Sequence, residues 1–481
     1  MKRKAAGLCL AVGILVLLSD PVWAQTAQDV ENGLLPAVLV SGRDAPGYAI
    51  HNRMRHYNVP GVSIAVVSDG RIDWAQGYGV KVAGETDSVT TSTLFQAASI
   101  SKPVAAAGAL RLVDEGRLDL DADVSEILKS WKLPDNSFTE RHPVTLRGLL
   151  SHTAGLTVHG FPGYARGEDV PTTVGVLQGA GNTPAVVADT MPGTIWRYSG
   201  GGYTVAQLLV EEVTGRSFAD AMEQYVLIPM GMNASTFMQP LPDSRAHDVA
   251  AAHGWDGSVI DGLWHTYPEV AAAGLWTIPS DLARFALGIS GAYKGEAGTF
   301  LTHAAAREML TPQLSDDYGL GLGIVGQGDA LRFSHGGSNA GYRCYFVIYP
   351  GRGDGVVVMT NADGGADLTM EIIRAVSDAY EWPDFKPETR IAADIDPSTL
   401  RAYEGEYEVE PGFSVTLRPG EGALLATATR RFPTALFPES EREFFGTDIN
   451  MRIRFKLDDG GGVEGFAILR GDHEIQARKI R

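Results

Sequence analysis

Three short strings in this sequence carry residue types that could act together on a carbonyl group. They are Ser99-Ile100-Ser101-Lys102, Tyr198-Ser199-Gly200 and His335-Gly336-Gly337-Ser338. A serine hydroxyl is a poor nucleophile at neutral pH, so it needs a neighbour to take its proton and donors to hold the oxyanion formed on attack. Ser99 is the candidate nucleophile, and Lys102 and Tyr198 are the candidate proton-transfer partners. A free phenol titrates near pH ~10, so Tyr198 can act as a base only beside a cation, which Lys102 supplies. The backbone N–H groups of Ser99 and Ser338 are candidate oxyanion donors. Gly200, Gly336 and Gly337 leave room for substrate against a turn and a strand.

These groups must be positioned by particular elements. Pro103 follows Lys102 and precedes the Ala-rich run Val104 to Val113. Proline fits only the first helical turn, so a helix here starts close to Ser99. Residues three apart share a helix face, which points Ser99 and Lys102 into one space. By itself the pair reads more readily as a serine cap followed by a solvated lysine, and it is the context that turns the reading toward chemistry. Upstream, Ala45 to Tyr57 reads as a helix, and Gly61 to Val67 and Arg71 to Ala75 read as strands joined at Ser68-Asp69-Gly70, a hairpin signal. Further strands are expected at Gly319 to Val325, Arg343 to Tyr349 and Gly355 to Met359, with a helix from about Ala366 to Tyr380. His152 reads as part of a structural turn, and Cys344, within a strand-like run, as a buried structural thiol.

The fold class expected is α/β (α+β), an antiparallel sheet flanked by helices with an all-helical subdomain. Residues 25–381 form that domain and 382–399, rich in Pro and acids, a linker. Residues 400–481 form a small antiparallel β-barrel-like domain, with strands at Phe413 to Leu417, Ala423 to Ala428, Met451 to Leu457 and Gly465 to Leu469.

Composition narrows the classes. The 481 residues are 44% hydrophobic and 20% charged, enough to bury large cores. Residues 1–24 combine the basic start Met1-Lys2-Arg3-Lys4, an apolar run from Ala5 to about Leu18 and Ala24 at a cut site, the pattern of a secretory signal peptide. The apolar run falls short of the roughly 20 residues of a membrane span, so a periplasmic or secreted protein without a stable anchor is expected. A formal charge of −18 lacks the basic footprint of a nucleic-acid or anionic-lipid binder. Only Cys344 remains after cleavage, so no internal disulfide forms. Gly321 to Gly326 fits a dinucleotide-loop pattern, but a strand rather than a helix follows it. The histidines show no metal spacing. The chemistry needs neither metal nor cofactor, and a small ester, amide or peptide is the expected partner.

The three strings, with Leu149-Leu150-Ser151-His152-Thr153-Ala154-Gly155-Leu156 and Ala272-Ala273-Gly274-Leu275-Trp276 between them, resemble the serine β-lactamase and penicillin-binding superfamily. The likeness is to its branch of class C β-lactamase-like esterases and D-amino-acid peptidases, and it runs from about Pro46 to Tyr380. The tail resembles the lipocalin-like β-domain of some members. The resemblance implies an acyl-enzyme on Ser99, proton transfer by Lys102 and Tyr198, and His335 at the place of the lysine of a Lys-Thr-Gly motif. Two departures bear on substrate. Gly200 stands where an asparagine amide would grip an acyl-amide, and His335 is a weaker carboxylate anchor than lysine. Both argue against an efficient β-lactamase or transpeptidase and favour a hydrolase of esters or of unusual amides and peptides; the missing amide contact puts an esterase ahead of the alternatives, a D-amino-acid peptidase or a β-lactamase/DD-peptidase-like amidase. A penicillin-binding-like sensor or peptidoglycan-binding module is the non-enzymatic alternative.

Overall fold

The computed structural model describes residues 22–470 and 473–481. The basic start and apolar run expected as a leader lie outside the described residues. Among the described residues, no helix is long and apolar enough to cross a membrane.

Asp69 and Gly70 both take left-handed backbone angles, φ 51° and 73°, forming the two-residue turn whose twist suits a hairpin. It joins β1 (Gly61–Ser68) to β2 (Arg71–Gly79), with Ser68 opposite Arg71. Four later strands complete the sheet: β3 (Gly323–Val325), β4 (Arg332–Asn339), β5 (Tyr342–Tyr349) and β6 (Asp354–Thr360). All neighbours are antiparallel, in the order β2-β1-β6-β5-β4-β3. The principal helices are α1 (Val22–Asn32), α2 (Ile50–His56), α3 (Ser101–Asp114), α4 (Gly200–Thr214), α5 (Val270–Ala273), α6 (Pro279–Lys294) and α7 (Gly365–Ala379).

Successive strand residues face opposite sides, and β1 is buried on both. Val62, Ile64 and Val66 join one core with Leu368, Ile372 and Val376 of α7. Ala65 and Val67 join the other, which also holds Phe285 and Ile289 of α6 and the inner faces of α3 and α4. Alanines at 105, 106, 107 and 109 keep α3 slim, so neighbouring elements pack close around it.

Residues 405–479 close into an eight-stranded antiparallel barrel. The four strands expected there are present. Gly405–Glu410, Pro433–Pro438, Glu443–Gly446 and His473–Lys479 are additional. Those four carry charged residues on their outward positions or prolines at their ends, which masks the strand signal. Tyr403, after α8 (Pro397–Ala402), stacks on Phe455 at 3.6 Å within the barrel core. The stretch 382–399, read as a linker from composition, is docked: Trp382 is buried and Glu388–Arg390 pairs in parallel with Val38–Val40. The helix expected over Ala45 to Tyr57 is shortened to α2, and the strand expected over Gly319 to Val325 to β3. Pro46-Gly47 and the positive φ of Gly321 (84°) account for the lost ends.

Candidate active site

Ser99 sits in a single 3-10 turn, Ala98–Ile100, that leads directly into α3. Ala98 holds φ 51°, a left-handed angle that costs energy for a residue with a Cβ. Ser101 secures the turn, its Oγ donating to Ala98 O at 2.6 Å and accepting the Leu275 N–H at 2.9 Å. Lys102, 2% exposed, lies beneath Ser99. Its Nζ donates to Ser99 Oγ at 3.0 Å and to Ala272 O of α5 at 2.8 Å. The helix-face argument from spacing therefore holds in space.

Tyr198 arrives on the loop before α4. Ser199 caps that helix, accepting the Gly202 N–H at 2.9 Å while its Oγ donates to Thr157 O at 2.8 Å. The Tyr198 ring centroid lies 4.9 Å from Lys102 Nζ, within cation–π range. His152 packs beneath it, ring centroids 4.2 Å apart, and its Nδ1 accepts the Ser199 N–H at 3.1 Å. Burial, then the Lys102 charge, holds His152 well below the usual imidazole range. A neutral, buried ring tied to the Tyr198 loop is a support for the phenol.

Strand β4 forms the opposite wall. A Cβ at Gly337 would collide with Ala97 O and Cys344 Sγ, so glycine lets the strand lie flush against the turn that carries Ser99. Cys344 is buried, and its thiol donates to Ala97 O at 3.1 Å. Burial pushes that thiol up, away from the reactive thiolate. His335 is pushed down to about 3, by burial first and the Lys102 charge second. A neutral ring with its proton on Nδ1 satisfies both of its contacts, Gly336 O at 2.6 Å and the Tyr318 hydroxyl on Nε2 at 3.3 Å.

One cavity of about 570 Å³ is lined by Ser99, Tyr198, His335, Gly336, Gly337 and Ser338. Lys102 reaches it through Ser99. Gly200, expected beside substrate with Gly336 and Gly337, is not among the residues that line this cavity, because as the first residue of α4 it faces Phe161 and the His159 carbonyl. The lining also includes His159, Arg343 and Tyr345. Of these the sequence points only to His159, in the loop Val158 to Tyr164 from which the resemblance draws pocket walls; Arg343 and Tyr345 read only as part of a strand. Tyr318, which holds His335, belongs to no motif.

A hydroxyl, an amine and a phenol gathered at one cleft, on a sheet flanked by helices, define a serine hydrolase of the β-lactamase type. The Beta-lactamase family model matches residues 49–381, and the chain belongs to that family. It is 27% identical over 379 residues to "Penicillin-binding protein 4" of Amycolatopsis lactamdurans, covering 74% of this chain and 95% of that protein. It is 23% identical over 398 residues to the "D-aminopeptidase" of Brucella anthropi, covering 78% and 73%. The octameric penicillin-binding protein homologue from Pyrococcus abyssi superposes with a TM-score of 0.60 at 22% identity, covering 89% of this chain and 98% of that one.

Proposed function

We propose that this chain is an exported serine hydrolase that cleaves esters in preference to amides through an acyl-enzyme on Ser99. The observation that carries the reading is the 3.0 Å contact between Lys102 Nζ and Ser99 Oγ. Ser99 Oγ bonds to the substrate carbonyl carbon while its proton passes to the Lys102 and Tyr198 pair. The Ser99 and Ser338 N–H groups hold the oxyanion. The bond to the leaving oxygen then breaks, and the alcohol departs with that proton. Water adds to the acyl-Ser99 ester, the proton path runs again, and the acid is released. His335, neutral, contributes shape and a hydrogen-bonded wall instead of a charge. Ester preference follows from the missing side-chain amide at Gly200, whose loss harms amide substrates more than esters. The D-aminopeptidase relative supports amide hydrolysis as a second reading.

A fluorophosphonate probe labels the wild type and leaves Ser99→Ala unlabelled. Lys102→Ala and Tyr198→Phe each lower kcat about 10²- to 10⁴-fold, the usual contribution of positioned proton transfer. Near-native turnover by either variant contradicts its role, and an unlabelled wild type leaves only a peptidoglycan-binding module. For export, the mature N-terminus recovered outside the cytoplasm begins at Gln25. A chain retained whole in the cytoplasm contradicts it.

A further inference from the structure

Eight strands enclose an interior just wide enough for side chains to fill it or for one small molecule to enter. The 405–479 barrel does both, at opposite ends. One end is filled: Tyr403 stacks on Phe455, Phe444 and Phe466 meet the Phe455 ring edge-on at 5.4 and 5.9 Å, and the buried Leu400 of α8 joins the same core. The other end is hollow. The inward positions along Leu424–Ala428 are Leu424, Ala426 and Ala428, alternating with the exposed Leu425 and Thr427, so this strand turns its smallest side chains inward as it nears the hollow end. The space they leave is a cavity of about 350 Å³. Val409, Val415, Met451, Ile453 and Ile468 supply much of the remaining wall. Among the described residues, none lines both this cavity and the catalytic one.

An apolar void costs stability in proportion to its volume, so a cavity of this size is a standing penalty unless something occupies it. An apolar cavity of ~150 Å³ accepts benzene, so this one has room for about two to three rings. Its shape excludes a polypeptide. A closed barrel has no strand edge with which a peptide could pair, and a helix, about 10 Å across with its side chains, is too wide for the interior. Charge narrows the class further. Glu410 and Arg431, the described charged residues of the lining, are opposite in sign, and Arg431 is already engaged, its Cζ 3.2 Å from the centre of the Trp255 ring. On a hydrocarbon wall with no net charge, the desolvation of an ion goes uncompensated.

We infer that the hollow end of the barrel is a second ligand site, which takes one neutral, mostly hydrocarbon small molecule with any polar group directed toward Asn450 at the strand-joining loops.

The test titrates the full chain with N-phenyl-1-naphthylamine, a neutral probe that brightens in apolar surroundings, and with 1-anilinonaphthalene-8-sulfonate, the same skeleton carrying a sulfonate. The neutral probe saturates at one molecule per chain and binds at least about tenfold tighter than the sulfonate. Its affinity is the same before and after treatment with a small fluorophosphonate, which closes the catalytic cavity. Ala428→Phe, which places a ring in the hollow, weakens the neutral probe at least about tenfold, and Ala428→Leu weakens it by a smaller factor. Leu425→Ala, on the outward face of the same strand, leaves it unchanged. Near-UV circular dichroism confirms that each variant keeps its packed barrel; should Ala428→Phe not fold, the loss in Ala428→Leu decides. An absent or unsaturable signal from the neutral probe, an affinity equal to wild type in the folded inward variants, or loss of the signal after fluorophosphonate treatment overturns the site. A sulfonate that binds as tightly as the neutral probe overturns the neutral class of ligand.

Discussion

His335 shows how one residue in a familiar position can change what a site offers. Its place in the third string was legible from sequence, and so was its weakness as an anchor for an anion. The extent was not, because it depends on burial and on the nearby Lys102 charge, which no spacing records. The folded imidazole is held at about 3, whereas a free histidine titrates near ~6.5. Between those values the unfolded chain binds a proton that the folded chain does not. Stability from this ring is therefore fully present above about 6.5 and is lost as pH falls toward 3, at roughly 1.4 kcal/mol per pH unit. His152 acts with the same sign. In His335→Gln the pH slope of unfolding free energy between pH 6 and 4 decreases by about one proton, as read from urea titrations at several pH values. An unchanged slope means that His335 is charged in the folded site.

At the scale of elements, the sequence was most readable where turn chemistry and hydrophobic pattern agreed. The Asp69-Gly70 hairpin, the start of α3 and the run of α7 fall where composition put them. Elements fixed by tertiary contacts were harder to read. The turn opening α5 is one, and Glu269 just before it is fully buried with neither carboxylate oxygen hydrogen-bonded. Its backbone carbonyl accepts the N–H groups of Ala272 and Ala273 at 2.9 Å each, so it shapes the turn whose Ala272 O holds Lys102. Burial raises its carboxyl to about 7. Here the folded state keeps a proton that the unfolded chain gives up, so the sign is opposite to that of His335. The contribution is fully present below the ordinary value of 4.5 and is lost as pH rises through about 7. Glu269→Gln, which cannot ionise, should match the wild type near pH 4.5 and exceed it by about 1–3 kcal/mol at pH 8.5. Chemical denaturation at the two pH values checks this, and an equal difference at both contradicts it.

At the scale of the whole molecule, the sequence left the role of the C-terminal barrel open. The residues that dock it are far apart in the chain and carry no motif. Arg53 of α2 donates through Nε to Glu371 of α7 at 2.7 Å and through Nη2 to Asp448 of the barrel at 2.7 Å. The Tyr57 hydroxyl donates to Glu371 at 2.6 Å, and Phe432 of the barrel meets the Tyr57 ring edge-on at 4.4 Å. Helix α7 links this junction to the cleft, because Ala366, Thr369 and Met370 line the catalytic cavity one turn from Glu371. One buried guanidinium thus neutralises carboxylates from both domains. Removing it leaves Glu371 with the Tyr57 hydroxyl and Asp448 with only His56 and Thr434 as partners, two poorly compensated buried carboxylates, whereas removing all three charges leaves none. Arg53→Met should cost about 3–5 kcal/mol, and adding Glu371→Met and Asp448→Leu should recover most of that loss. If the barrel depends on this clamp, thermal unfolding of Arg53→Met divides into two transitions, the first belonging to the barrel. A single transition with an unshifted midpoint would mean that the barrel is held by its apolar contacts, Phe432 foremost.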